Sequence, residues 1–204
     1  CGLVVHKAQA AEHWRLPESS LILSNHISYL DIFVLGSLRP MGFIGKQEIL
    51  SWPLLGKIAR LGNTIFVDRE NPSSRLRALH RLRRSCQGMC YCVFPQGTTS
   101  KLVELPDAPW FRGNISLLHS ASIELFAVGL YYADQELCAW VDDQELIPHL
   151  LDLLKKRRSH VFMSIEPVRP YLGEGLAQQS KQNWRNISRL ASLSFAEAMR
   201  TNKI

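Results

Sequence analysis

Leu21-Ile22-Leu23-Ser24-Asn25-His26-Ile27-Ser28-Tyr29-Leu30-Asp31-Ile32-Phe33-Val34-Leu35 is the stretch whose reading decides the fold. The apolar run Leu21 to Leu23 reads as a buried strand, and Asp31 to Leu35 reads as a helix under way. His26 therefore leaves a strand end just before a helix. Asp31 falls in the first helical turn, where the helix dipole favours a carboxylate, and from there it can turn back towards the imidazole. A carboxylate beside a histidine fixes which ring nitrogen carries the proton and stabilises the imidazolium. The other nitrogen is then left to take a proton from a hydroxyl. No serine is required if that hydroxyl belongs to a substrate. The same spacing also suits a purely structural pair, so the remaining segments must decide.

Outward from this stretch the chain alternates strands and helices. Gly2-Leu3-Val4-Val5 reads as a strand, Pro17 to Ser20 as a turn, and Gly42 to Lys46 as a further strand. Ile49 to Gly56 is too apolar for a surface loop; packing in the core is expected, with contact to a membrane or acyl chain as the alternative. Gly62 to Arg69 is a glycine turn feeding a β-branched strand that ends on Asp68-Arg69. Asn71 and Pro72 then cap and open a helix with Leu76, Leu79 and Leu82 on its apolar side. Arg77, Arg81 and Arg84 form a basic stripe on the same helix, read either as a solvated face or as a contact for phosphate or a carrier protein.

Cys90 to Phe94 is a buried strand delivering Pro95-Gln96-Gly97-Thr98-Thr99-Ser100, a polar glycine-bearing loop suited to a ligand. Phe111-Arg112-Gly113 opens a short helix through His119, and Leu125 to Tyr131 is another core strand. A helix from Gln144 to Arg158 carries Leu146, Ile147, Leu150, Leu151 and Leu154 at helical spacing. A strand from His160 to Val168 follows, then an amphipathic helix from Trp184 to Arg200 with Trp184, Ile187, Leu190 and Phe195 inward. This alternation predicts an α/β fold: a mostly parallel central sheet with helices on both faces, one continuous domain over residues 1–204.

Composition narrows the function. A 204-residue chain with 46% hydrophobic and 21% charged residues is ordinary globular protein, which excludes disorder and coiled coil. A net charge of +6 implies an anionic partner: nucleic acid, an acidic membrane, a phosphorylated cofactor or an acidic carrier protein. Five cysteines without a Cys-x-x-Cys pair indicate neither a disulfide framework nor a metal site, and Cys90 and Cys92 read as strand residues in a reducing setting. No signal peptide and no spanning apolar run of about 18 residues is visible. Because the chain starts on a strand-like run without Met, an N-terminal segment, with room for a membrane anchor, is expected to precede Cys1. There is no Gly-x-Ser-x-Gly nucleophile elbow and no recognised nucleic-acid motif.

Four ordered blocks carry a resemblance. Asn25-His26 to Asp31, Gly62 to Arg69, Phe94-Pro95-Gln96-Gly97-Thr98-Thr99-Ser100 and Ala127-Val128-Gly129, with Lys46, Glu48, Pro53 and Gly56 between them, resemble the glycerolipid and lysophospholipid acyltransferase family. The resemblance covers about Leu21 to Leu130. It implies a single acyltransferase domain in which His26 is the general base and Asp31 orients it, with no metal and no cofactor. The acyl group would come from acyl-CoA or acyl-carrier protein and pass directly to the hydroxyl of a lysolipid, foremost 1-acyl-glycerol-3-phosphate. Asn25, Lys46, Arg69, Gln96, Gly97, Thr98, Thr99 and Arg112 are the substrate-binding candidates, with backbone amides near Gly97 as oxyanion donors.

Two departures matter. The family's third block carries Glu and Arg where this chain has Gln96 and Thr99. Losing the arginine removes a bidentate phosphate clamp, which opens the acceptor to other lysophospholipids, a lyso-ornithine or other aminolipid, or a glycolipid. The membrane partner is expected at the cytoplasmic face, through Trp52 to Leu55, basic patches or an anchor, and nucleic acid is not an expected partner. A non-catalytic membrane-binding scaffold is the alternative of another class, against which the intact His26 and Asp31 speak.

Overall fold

Along the central strands every second side chain turns to one face and the rest to the other, and both sets are buried. The computed structural model describes residues 2–7, 15–52, 55–101, 123–141, 144–168 and 176–201. The strands are β1 (Gly2–Lys7), β2 (Ser20–Ser24), β3 (Met41–Lys46), β4 (Ile65–Val67), β5 (Cys90–Val93), β6 (Glu124–Tyr132) and β7 (Arg158–Pro167). The helices are α1 (Asp31–Gly36), α2 (Leu55–Leu61), α3 (Pro72–Ser85), α4 (Gln135–Cys138), α5 (Leu146–Lys155) and α6 (Leu176–Arg200), and a 3₁₀ turn spans Gln47–Ser51. The seven strands form one sheet in the order β1-β7-β6-β2-β5-β3-β4. All neighbours are parallel except β6 and β7, as the alternation of strands and helices predicts.

Ile22, Cys92, Phe126, Val128 and Leu130 pack in one layer with Val34 and Leu35 of α1 and Leu153 of α5. Leu21, Leu23, Tyr91, Val93 and Ala127 pack in the other with Ala78 and Leu82 of α3 and Ile187, Leu190 and Ala191 of α6. Each layer removes apolar area worth roughly 25 cal/mol per Å² from water, so the register of the central strands is fixed on both faces. Helix α3 begins as expected: the Asn71 side chain accepts from the Ser73 and Ser74 amides at 3.0 and 3.2 Å, ahead of Pro72 at the first turn.

β2 lies between β5 and β6, so the chain leaves it towards one side of the sheet and later returns on the other. Such a switch in strand order opens a crevice at the carboxyl ends of the strands, where α/β proteins place ligands. The expected ligand loop leaves β5 at this edge, and His26 leaves β2 there.

Several local expectations are corrected. The helix read as Gln144 to Arg158 is α5, Leu146–Lys155. Arg158 instead opens β7 because the edge strand β1 captures it, with Gly2 N–H donating to the Arg157 carbonyl at 3.1 Å. The last helix starts at Leu176 rather than Trp184, and Phe195 is exposed. Ser194 points inward in its place, bonding the Gly129 carbonyl at 3.0 Å and the Ser164 hydroxyl at 2.9 Å. A Cβ on Gly129 would meet Ala191 N at 2.1 Å, so glycine alone fits where α6 crosses β6. On α3, Leu76 is exposed, whereas Ala78 and Leu82 are buried. Ile49, Leu50 and Trp52 are half-buried rather than core. The short helix read at residues 113–119 lies outside the described residues.

Candidate active site

The site is built where β2 ends. Beyond Ser24 the Asn25 side chain replaces the lost backbone ladder: its Oδ1 accepts the Leu130 N–H at 2.7 Å and its Nδ2 donates to the Leu130 carbonyl at 3.0 Å. That pairing lets β2 terminate without leaving β6 groups unsatisfied, and it turns the next residue, His26, out of the sheet. Asn25 is fully buried with an acceptor and a donor already used, so it shapes the site rather than facing a ligand.

His26 Nδ1 lies 2.8 Å from Asp31 Oδ2. The same oxygen accepts the amides of Ile27 at 2.7 Å and Ser28 at 3.0 Å, and Oδ1 accepts the Tyr132 hydroxyl at 2.7 Å. Asp31 is completely buried at the start of α1, where four donors meet an acceptor-only group and the helix dipole adds to them. Because a carboxylate can only accept, the proton between the pair sits on Nδ1, and Nε2 is left with its lone pair. The His26 side chain is 18% exposed, so the imidazole lies at an opening while its partner does not. Phe94 stacks on the ring at 3.9 Å between centroids, fixing its plane.

Tyr132 is the functional residue that sequence reasoning missed. Burial, then the Asp31 carboxylate beside it, push its phenol well above the ordinary range, so it stays a donor to Asp31. The phase of β6 was the available signal: Tyr132 follows Phe126, Val128 and Leu130 on one face of the strand.

Gln96 is also turned inward. Its Oε1 accepts the His26 backbone N–H at 2.8 Å, its Nε2 donates to the Ser100 hydroxyl, and Ser100 N–H returns to the His26 carbonyl at 2.9 Å. With 2% exposure, Gln96 clasps the loop to His26. Gly97 takes a positive φ of 74° that favours glycine. Its N–H is spent on the Phe94 carbonyl at 3.0 Å, so an oxyanion cannot use that amide without opening the turn. Thr98 is exposed and Thr99 half-buried beside it.

Arg69 reaches this loop from the end of β4, its guanidinium donating to the Gly97 carbonyl. Burial lowers its pKa, and Glu48 nearby acts in the opposite sense. Lys46 ends β3 and is exposed on the same edge. The carboxyl edge thus presents His26, the 94–100 loop, Lys46 and Arg69 in strand order; Arg112 lies outside the described residues. On the other side of His26, Ile27 carbonyl accepts the Trp140 N–H at 3.0 Å. Trp140 packs edge-on against Tyr29 and Trp52, giving an aromatic wall. Tyr29 hydroxyl pairs with His149 Nδ1 at 3.0 Å while His149 Nε2 donates to the Ala139 carbonyl at 3.0 Å, which ties α5 to this wall.

The family model described as "Acyltransferase" matches residues 5–131, from within β1 to the penultimate residue of β6, and so includes His26, Asp31, Arg69 and the 94–100 loop but neither Tyr132 nor Trp140. The chain belongs to the acyltransferase family. It is 27% identical to the lyso-ornithine lipid O-acyltransferase of Rhizobium meliloti (strain 1021) over 83% of this chain and 61% of that protein. It is 35% identical to the 1-acyl-sn-glycerol-3-phosphate acyltransferase of Neisseria gonorrhoeae over 62% of this chain and 48% of that one. The chain therefore spans about half to three-fifths of the length of these two relatives. Among solved structures, the 1-acyl-sn-glycerophosphate (LPA) acyltransferase PlsC of Thermotoga maritima aligns over 94% of this chain and 71% of its own, with a TM-score of 0.60 and 21% identity. This acyltransferase chain therefore shares the PlsC fold, a mostly parallel seven-stranded α/β sheet.

Proposed function

We propose that this chain transfers a fatty acyl group from a thioester, acyl-CoA or acyl-carrier protein, to the hydroxyl of a lysolipid. The observation that carries the reading is the His26 imidazole: one nitrogen is held by a buried carboxylate with four donors, and the ring is part-exposed on the carboxyl edge. Nε2 takes the proton as the acceptor oxygen attacks the thioester carbonyl, and Asp31 stabilises the imidazolium. As the tetrahedral intermediate collapses, the C–S bond breaks and Nε2 returns the proton to the departing thiolate. An ester and a free thiol result, with no acyl-enzyme, metal or cofactor. The Thr98 and Thr99 amides, which carry no internal partner among the described residues, are the oxyanion donors of this reading.

The acceptor favoured by the site lacks a phosphate monoester. Thr99 stands where the family places a phosphate-clamping arginine, and a hydroxyl cannot supply that fork. An ornithine head group has no phosphate to clamp, and a relative 27% identical over 83% of this chain is named for the lyso-ornithine lipid. Lysophosphatidic acid is the second reading, carried by Lys46 and Arg69 on the same edge.

The lysolipid is reached from the cytoplasmic face of a membrane. Ile147, Leu150, Leu151 and Leu154 of α5 and Ile32 and Phe33 of α1 are exposed on the layer that carries the aromatic wall, which suits peripheral insertion. Among the described residues no helix is long and apolar enough to cross a membrane.

The test offers labelled acyl-CoA and acyl-carrier protein together with lyso-ornithine lipid and lysophosphatidic acid. Transfer to lyso-ornithine lipid is expected, and Thr99→Arg should move the preference towards lysophosphatidic acid. A folded protein that acylates no lysolipid overturns the reading and leaves a non-catalytic membrane scaffold.

A further inference from the structure

Helix α3 carries five arginines and no acid in 14 residues. Arg77, Arg81 and Arg84, at i, i+4 and i+7, share one stripe, and like charges so placed repel unless an anion lies between them. All three are exposed, and among the described residues none is paired with a carboxylate. A merely solvated face interleaves both signs; this one does not. The stripe is also concave. Together with His80, Ser74 and Phe66 of the edge strand β4, it lines a cavity of about 400 Å³.

The cavity is tied to the candidate active site by a relay of hydrogen bonds. Its rim begins at Ser74, whose hydroxyl accepts the Asp68 N–H beyond β4. Arg75 bonds the Arg69 carbonyl at 2.8 Å, and Arg69 reaches Gly97 of the loop clasped to His26. From β2 to β4 is three strand spacings, about 14 Å at ~4.8 Å each. The pantetheine arm between a thioester and its nucleotide phosphates is about four residue-equivalents of extended chain, again about 14 Å.

We infer that the cavity between β4 and α3 binds the 3′-phospho-ADP end of acyl-CoA, with the pantetheine arm lying along the carboxyl edge and the thioester at His26. Guanidinium forks match the phosphates, and Phe66 offers an apolar wall to the base. An acidic helix of a carrier protein would need a shallow ridge to lie on, whereas a nucleotide fills a hollow. The inference rests on the acyl-transfer reading above for the direction of the arm, but not for the anion site itself.

Adenosine 3′,5′-bisphosphate is the probe, titrated calorimetrically into the native chain, R77Q/R81Q and R83Q. Arg83 is exposed on the same helix and does not line the cavity, so R83Q controls for bulk charge. The native chain and R83Q should bind alike, and R77Q/R81Q should bind about tenfold more weakly per arginine removed. KM for acyl-CoA should rise by the same factor in R77Q/R81Q with kcat and acceptor KM held. An acyl-N-acetylcysteamine thioester, which has no nucleotide, should be used equally by all three. Absence of bisphosphate binding, or an unchanged KM for acyl-CoA, overturns the inference. A loss confined to acyl-carrier protein overturns it in favour of a protein donor. Bisphosphate binding without any acyl transfer would instead sustain the anion site and sink the transferase reading alone.

Discussion

Helices α3 and α5 cover opposite faces of one sheet and bury similar stripes, yet the faces they leave to solvent differ in kind. α3 buries Ala78 and Leu82 and exposes arginines; α5 buries Leu153 and His149 and exposes Ile147, Leu150, Leu151 and Leu154. The sheet dictates the inner stripes, because each layer must be covered by apolar side chains. It places no demand on the outer ones. On the proposals made above, the outer stripes carry the partners: a polyanion on the α3 side and a lipid surface on the α5 side, with His26 at the edge between them.

That contrast is most severely tested at the pair both sides share. Asp31→Asn keeps acceptors for the Ile27 and Ser28 amides but removes the charge behind the imidazolium, and kcat should fall by about 10³. The fall should be equal for acyl-CoA and for a truncated thioester, measured in steady state; a fall seen with one donor only would break the picture of a single centre serving two surfaces. Next in size, Leu150→Glu/Leu151→Glu should lower partition onto anionic vesicles about 100-fold, since two leucines at roughly 1.5 kcal/mol each, the lower end for burying such a side chain, sum to roughly 3 kcal/mol. Sedimentation with vesicles reads this, and unchanged partition would show that α5 is not the lipid side. The smallest effect belongs to Tyr132→Phe, which takes one donor from Asp31. A loss of roughly 1–2 kcal/mol in denaturant unfolding and a several-fold lower kcat are expected, and full activity would remove Tyr132 from the positioning of the pair.

Much of this architecture is readable without coordinates, and the failures have physical causes. β2, β5 and β6 show as apolar runs because strands buried on both faces need no alternation, and Asn71-Pro72 announces α3 through local chemistry alone. The His26 and Asp31 pairing is legible because it is closed within one strand-to-helix turn. Tyr132 and Gln96 act on the pair from 101 and 70 residues away, and no local pattern reports such contacts. Gln96 is an example: its loop location does not announce the internal bonds that tie it to His26 and Ser100. Helix faces misled where size overrode polarity. Phe195 is displaced outward and Ser194 drawn inward because Gly129 lets α6 approach to backbone contact. α5 carries the converse lesson, for an apolar stripe at helical spacing marks amphipathicity without saying that protein covers it.

The measurement that bears most directly on the central claim is acyl transfer from labelled acyl-CoA to lyso-ornithine lipid by the native chain and by His26→Ala, with thermal unfolding followed alongside. Loss of transfer to background in a variant that unfolds within a few degrees of the native chain is the predicted result. Transfer retained at a comparable rate would contradict the account, because His26 is the group it assigns to take the acceptor's proton.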